Sequence, residues 1–156
     1  METKKVQPSS VFETLEGLKE QGYNLLVDLT AVDRSAQGRV PRFEVVYRVA
    51  ALDLETGLET KPRVEVRCEV GSEPVLRSAR PLWPAADWLE REVWDMFGVR
   101  FADRPDIKRL LMYEEFVGHP LRKDYPINKR QPLIGPKEEP EGGVNLNRAR
   151  QKVEYE

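Results

Sequence analysis

Between Arg63 and Val70 the chain alternates without a break: Val64, Val66, Cys68 and Val70 against Arg63, Glu65, Arg67 and Glu69. A period of two puts the apolar side chains on one face of a strand and the charges on the other. A one-residue slip would bury the charges. The pattern therefore demands a sheet with one face sealed by another layer. Upstream, Phe43, Val45, Tyr47 and Val49 alternate with Arg42, Glu44 and Arg48, with Val46 as the imperfect polar position, which predicts a half-buried partner strand. Thr56-Gly57 punctuates the hairpin loop between them. Cys68 falls among valines, so its expected role is a small core side chain rather than a reactive thiol.

Other segments supply that second layer. Ser10-x-x-Glu13 reads as a capping box opening a helix whose apolar face is Val11, Phe12, Leu15 and Leu18, with Gly22 able to end it. Tyr23–Leu29 reads as a short buried strand, Asp33–Gly38 as a turn, and Pro74–Ala79 as an edge strand. From Pro84 to Gly98 the register is helical again, with Leu89, Val93, Met96 and Phe97 as the apolar stripe. Trp88 is expected to pack in or beside the core, and Trp94 to face a partner. Asp103 before Arg-Pro-Asp is a second helix-start signal, followed by Ile107, Leu110 and Leu111. The predicted fold is α+β: an antiparallel or mixed sheet of three to four strands with helices on one face.

Several function classes are poorly served. One cysteine and one histidine cannot supply a zinc site or an iron–sulfur cluster from this chain alone. No G-x-G-x-x-G spacing and no Walker-type lysine loop is present. A net charge of −2 argues against nucleic acid as a partner. No apolar run is long enough to cross a bilayer, and METKKVQPSS lacks the apolar core of a signal peptide, so residence in the cytoplasm is expected. Ser-His-Asp chemistry would have to recruit His119 from a Gly-His-Pro segment without regular structure.

The charges concentrate around the second helix. Asp87, Arg91 and Asp95 are four apart, so one guanidinium is predicted to bridge two carboxylates, with Glu92 beside that ladder. Glu90, Glu92 and Asp95 could form an acid/base set, but Arg91 would keep them ionised, and a ladder partly buried at an interface is the preferred reading. Gly118–Pro126 (GHPLRKDYP) reads as an extended strap fixed by Pro120 and Pro126, with Arg122, Lys123 and Asp124 as docking groups. Residues 1–126 form the expected domain and 127–156 a C-terminal arm, which is either a disordered tail or an arm ordered along a partner through Leu133, Ile134, Val144 and Leu146.

Three blocks carry a family resemblance: EREVWDMFGV at Glu90–Val99, RPDIKRLLM at Arg104–Met112 and GHPLRKDYP at Gly118–Pro126. Their order and spacing are similar to the C subunit of proton-pumping NADH–quinone oxidoreductase, respiratory complex I, and the pattern continues upstream to about Ser10. The family usually has His-Pro where this chain has Arg104-Pro105, a change that keeps a donor and adds a fixed charge. The resemblance implies a non-catalytic scaffold subunit of the peripheral arm, without a cofactor of its own. It would pack against the larger quinone-site subunit, beside iron–sulfur subunits, with the clusters and flavin in those partners. Electron transfer from NADH to quinone would belong to the whole complex. The expected location is the cytoplasmic face of the cell membrane, reached only through the complex. The partner-contacting residues on this reading are Asp87, Arg91, Glu92, Trp94, Asp95, His119, Arg122, Lys123, Asp124 and Tyr125. Alternatives are the equivalent subunit of a membrane-bound hydrogenase or other-donor dehydrogenase, and a stand-alone binding module with a disordered tail.

Overall fold

The computed structural model describes residues 1–105 and 107–131. The alternating segments form an antiparallel hairpin, β3 (Phe43–Leu52) and β4 (Glu59–Val70), in a register that pairs Val45 with Cys68 and Tyr47 with Val66. β2 (Leu25–Asp33) runs antiparallel along β3, and β1 (Glu2–Val6) lies parallel to β4, giving a mixed sheet of order β1-β4-β3-β2. The sequence reading missed β1, because Lys4, Lys5 and Val6 show no apolar alternation. The backbone pairing of Glu2 through Val6 with Val64 through Cys68 orders it instead.

α1 (Val11–Glu20) and α2 (Ala86–Phe97) share one hydrophobic cluster with Phe43, Val45, Tyr47 and Val49 of β3 and Val64, Val66, Cys68 and Val70 of β4. The expected α+β fold with both helices on one sheet face is therefore present. Cys68 is buried there, and burial pushes its thiol up to about 11, so it is inert at neutral pH. α1 starts where the sequence places it, but not by the capping box: Ser10 Oγ donates back to the Gln7 carbonyl, 3.2 Å away, because Pro8–Ser10 is already a 3-10 turn. It ends at Gly22, whose φ of +93° lets the Tyr23 N–H reach the Leu18 carbonyl at 3.1 Å.

The other sheet face departs from the half-buried expectation. Glu44 and Glu65 point away from the helices, yet both are buried. Three arginines cover them in a continuous chain: Asp28–Arg48 at 3.7 Å, Arg48–Glu65 at 2.9 Å, Glu65–Arg67 at 2.5 Å, Arg67–Glu44 at 3.3 Å, and Glu44–Arg34. Arginine stems lying across a sheet exclude water as apolar side chains do, while their guanidinium groups satisfy the carboxylates beneath. The hydrogen bond from Arg48 holds the Glu65 carboxyl below its ordinary value, against burial, which would raise it.

Three further segments differ from expectation. Val75–Leu76 (β5) does not extend the main sheet; it pairs in parallel with Arg100–Phe101 (β6). Asp33, read as part of a turn, is the buried last residue of β2. The predicted helix after Asp103 does not form among the described residues, because α2 side chains take up the backbone polar groups of residues 108–112, as described next.

Candidate functional site

α2 is a 12-residue helix stopped by Gly98, whose φ is +76° and whose N–H bonds to the Trp94 carbonyl. A side chain at Gly98 would collide with the His119 ring, with a Cβ only 2.7 Å from Cδ2. Two buried carboxylates project from different faces of this helix. Glu90 accepts from Ser78 Oγ at 2.8 Å, from the Ala79 N–H at 2.7 Å and from Arg104 Nη1 at 3.2 Å. Burial pushes its carboxyl up from the ordinary value, against those three donors.

Asp95 is the second. Its Oδ2 accepts the N–H groups of Leu110, Leu111 and Met112 at 3.0, 2.8 and 2.9 Å, and its Oδ1 accepts from Arg109 Nη1 at 2.6 Å. Burial alone would raise this carboxyl; the backbone donors and Arg109 override it and hold it below the ordinary value. The Arg109 guanidinium lies 5.5 Å from the centroids of both Trp94 and Phe116, and also donates to the carbonyls of Phe116 and Gly118. One carboxylate and one guanidinium thus fix residues 109–118 against α2.

The Asp87–Arg91–Asp95 ladder does not exist. Arg91 donates to the carbonyls of Lys108 and Arg109 at 3.1 and 2.9 Å and stacks over Trp88, 4.9 Å from its centroid. Asp87 pairs with Arg104 Nη2 at 2.8 Å and more distantly with Arg80 at 3.7 Å. An exposed helical pair is worth a few tenths of a kcal/mol, roughly 0.3–0.5, so long-range partners with several donors outcompete it. Trp88 does not pack in the core: it is 60% exposed, while Trp83 is the buried tryptophan of this region. Arg104, at the position where the family usually has histidine, is buried between Asp87 and Glu90.

The strap is not an extended ribbon held out for a partner. It folds back in a series of turns onto the sheet and α2. Leu121 N–H bonds to the Met96 carbonyl, Arg122 Nη2 reaches the Ser72 carbonyl and its guanidinium stacks on Phe43, and Tyr125 stacks on Phe116. Asp124 receives both terminal nitrogens of Arg42, at 2.8 and 2.7 Å, and Arg42 also grips Asp33 at 2.6 Å. The Lys123 N–H donates to Asp33 at 2.9 Å. Burial would raise the Asp33 carboxyl, but Arg42 and the N–H groups of Lys123 and Ser35 hold it far below the ordinary carboxylate range; the hydrogen bonds from Arg42 hold the Asp124 carboxyl below its ordinary value, against burial. His119 Nδ1 lies 3.0 Å from the Asp95 carbonyl, which makes it the protonated nitrogen of the neutral ring. Burial lowers the His119 pKa, against that bond.

Of the residues singled out from sequence, then, Asp95, Asp124, Arg122 and Tyr125 are engaged within the domain. Trp94 and His119 are half-buried edge to face, 6.0 Å apart, and Glu92 and the Lys123 side chain remain exposed. Arg42, Asp33 and Arg109 carry no site signal in the sequence: Asp33 and Arg42 lie nine residues apart but meet Lys123 and Asp124 across 90 and 82 residues, and Arg109 meets Asp95 across 14. The first residues of the proposed arm touch the domain: Gln131 accepts the Val117 N–H at 3.1 Å and bonds to the Tyr125 hydroxyl. The anchors Leu133, Ile134, Val144 and Leu146 lie outside the described residues. Among the described residues no group of three or more His, Cys, Asp or Glu could hold a metal ion, and no helix is long and apolar enough to cross a membrane.

The described residues form a mixed-sheet α+β domain in which the buried Glu90 and Asp95 of α2 brace the domain's own loops. Residues 4–131 match the family described as respiratory-chain NADH dehydrogenase, 30 Kd subunit. The chain is 41% identical over 140 residues to the NADH-quinone oxidoreductase C subunit of Citrifermentans bemidjiense, covering 88% of this chain and 78% of that one. It is 39% identical over 140 residues to the same subunit of Geotalea uraniireducens, covering 88% of this chain and 77% of that one. Its structure resembles a trypsin-resistant fragment (1-134) of Nqo5, with a TM-score of 0.61 and 32% identity over 67% of this chain and 80% of that one. This chain belongs to the 30 kDa subunit family of NADH–quinone oxidoreductase, the family of its C subunit.

Proposed function

We propose that this chain is a non-catalytic scaffold subunit in the peripheral arm of complex I. It packs against the quinone-site subunit and beside iron–sulfur subunits, with the clusters and flavin carried by those partners, at the cytoplasmic face of the membrane. The observation that supports this reading is the engagement of Glu90 and Asp95: both are fully buried, Glu90 bound by Arg104, the Ser78 hydroxyl and the Ala79 N–H, and Asp95 by Arg109 and three backbone N–H groups. A carboxylate in such a cage is committed to holding loop geometry and has no open coordination to offer a reacting proton. Of the proposed partner contacts, the exposed Glu92, Lys123 and Asp124 side chains and the half-buried Trp94 and His119 keep surface to offer; Asp95 acts from behind by fixing the loop that presents it. Residues 127–156 are proposed as an arm along the same partners, its first residues also touching the domain through Gln131.

Purification of the tagged chain from native membranes tests this. Iron–sulfur subunits should accompany it, while the free chain should contain neither iron nor flavin and should not oxidise NADH. Stoichiometric metal or flavin in the free chain would overturn the cofactor-free reading. Recovery without any partner would favour the stand-alone module.

A further inference from the structure

The start of α2 carries an exposed surface beside the contacts that brace the domain. Arg80, Arg91, Arg104 and Lys108 line one cleft of about 260 Å³, with Asp87 as its acidic lining residue. Asp87, with Glu90 beneath it, offsets about half of that charge, so the cleft is locally positive on a chain whose net charge is −2. The Arg104 side chain is only 5% exposed, and its Nε is buried without a hydrogen-bond partner. Beside the cleft stands Trp88, 60% exposed, with the Arg91 guanidinium lying over its ring at 4.9 Å.

We propose that this cleft and Trp88 form a docking surface for an acidic segment of a partner subunit, which places a carboxylate among Arg80, Arg91 and Lys108 and covers the indole with apolar groups. The inference rests on the reading of the chain as a subunit packed among partners. Charge complementarity selects the partner's chemistry: a shallow positive cleft receives a carboxylate. An exposed tryptophan beside an arginine is the combination that dominates interface energetics when covered. Arg91 is held by two backbone carbonyls, so the indole and guanidinium are ordered before binding and lose little entropy. A bilayer surface fits less well. The exposed carboxylate of Glu92, on the next turn of α2, would face the anionic headgroups.

The test uses full-length chain expressed in place of the native copy, with the complex purified from membranes. Trp88→Ala, and Arg80→Glu combined with Lys108→Glu, should each lower recovery of partner subunits by about tenfold or more. The melting temperature of the free chain should stay near that of wild type. Photo-crosslinking from p-benzoylphenylalanine at position 88 should capture a partner peptide rich in Asp or Glu, and it decides the matter even where a variant folds poorly. Undiminished recovery of both variants, or a crosslink to a segment without acidic residues, would overturn this surface while leaving complex membership intact. Wild-type chain that recovers no partner would remove the underlying reading and this proposal with it. Binding of the free chain to phosphatidylglycerol–phosphatidylcholine vesicles, lost on charge reversal, would overturn it in favour of a membrane.

Discussion

Replacing Asp95 with alanine should be among the most damaging single changes in this domain. The substitution removes the acceptor of three backbone N–H groups, at 2.8 to 3.0 Å, and the partner of Arg109 at 2.6 Å. Removing one member of a buried ion pair costs about 3–5 kcal/mol, and each buried donor left unsatisfied about 1–3 kcal/mol. These costs do not add in full. The loop is partly exposed, so water can reach some of the freed N–H groups, and the Arg109 side chain is 13% exposed. A loss of about 3–5 kcal/mol is therefore expected, a large part of the ~5–15 kcal/mol that holds a domain together. For a domain of this size that lowers the melting temperature by roughly 10–20 °C. Thermal unfolding followed by circular dichroism measures it, with Glu92→Ala on the exposed turn as a control expected to change stability by less than about 0.5 kcal/mol. Asp95→Asn keeps an acceptor for the N–H groups but discards the charge facing Arg109, and should fall between. Amide exchange at Leu110, Leu111 and Met112 should accelerate in Asp95→Ala before the rest of the domain. If Asp95→Ala melts within two or three degrees of wild type, the carboxylate does not hold the loop and is not the caged, non-reactive group described above.

Other outcomes follow from the same contacts. Arg91→Ala loses two bonds to backbone carbonyls but strands no carboxylate, so it should cost about 1–2 kcal/mol, clearly less than Asp95→Ala; parity between them in urea titration would restore the ladder. Asp33 and Asp124 have folded pKa values below the ordinary 3.8, so the unfolded chain binds more protons as acid is added. Their stabilisation is present above about pH 4 and is lost as pH falls below it; Asp33→Asn should be less stable at neutral pH with a flatter acid limb, and an unchanged slope would contradict this. Deleting residues 132–156 should leave thermal unfolding of the free domain unchanged while weakening retention in the complex. Unfolding of the truncated chain would place the domain boundary farther along.

Elements whose information is local were legible in the chain alone. The alternation from Val64 to Val70 specifies a strand with a known inner face, and apolar spacing with Gly22 and Gly98 specifies two helices and their ends. The family blocks were legible for a similar reason: they are contiguous strings. The fate of the charges, by contrast, was settled by the completed fold. Asp95 looked like one rung of a helical ladder, because spacing reports which groups are neighbours along a helix. It cannot report the competing partners that arrive from another loop, here Arg109 and three N–H groups from 14 to 17 residues away. Lys123 N–H meets Asp33 across 90 residues and Arg42 meets Asp124 across 82, so a strap that reads as free in sequence is bound. Trp88 was misassigned for the same reason. Apolar residues on a helix declare that some face is buried, but the crossing of α2 over the sheet chooses which one, and it buries Val93 and Met96 while leaving the indole in water. Hydrophobic burial follows a period that sequence displays; ion pairing is decided by whichever opposite charges the folded chain brings within reach.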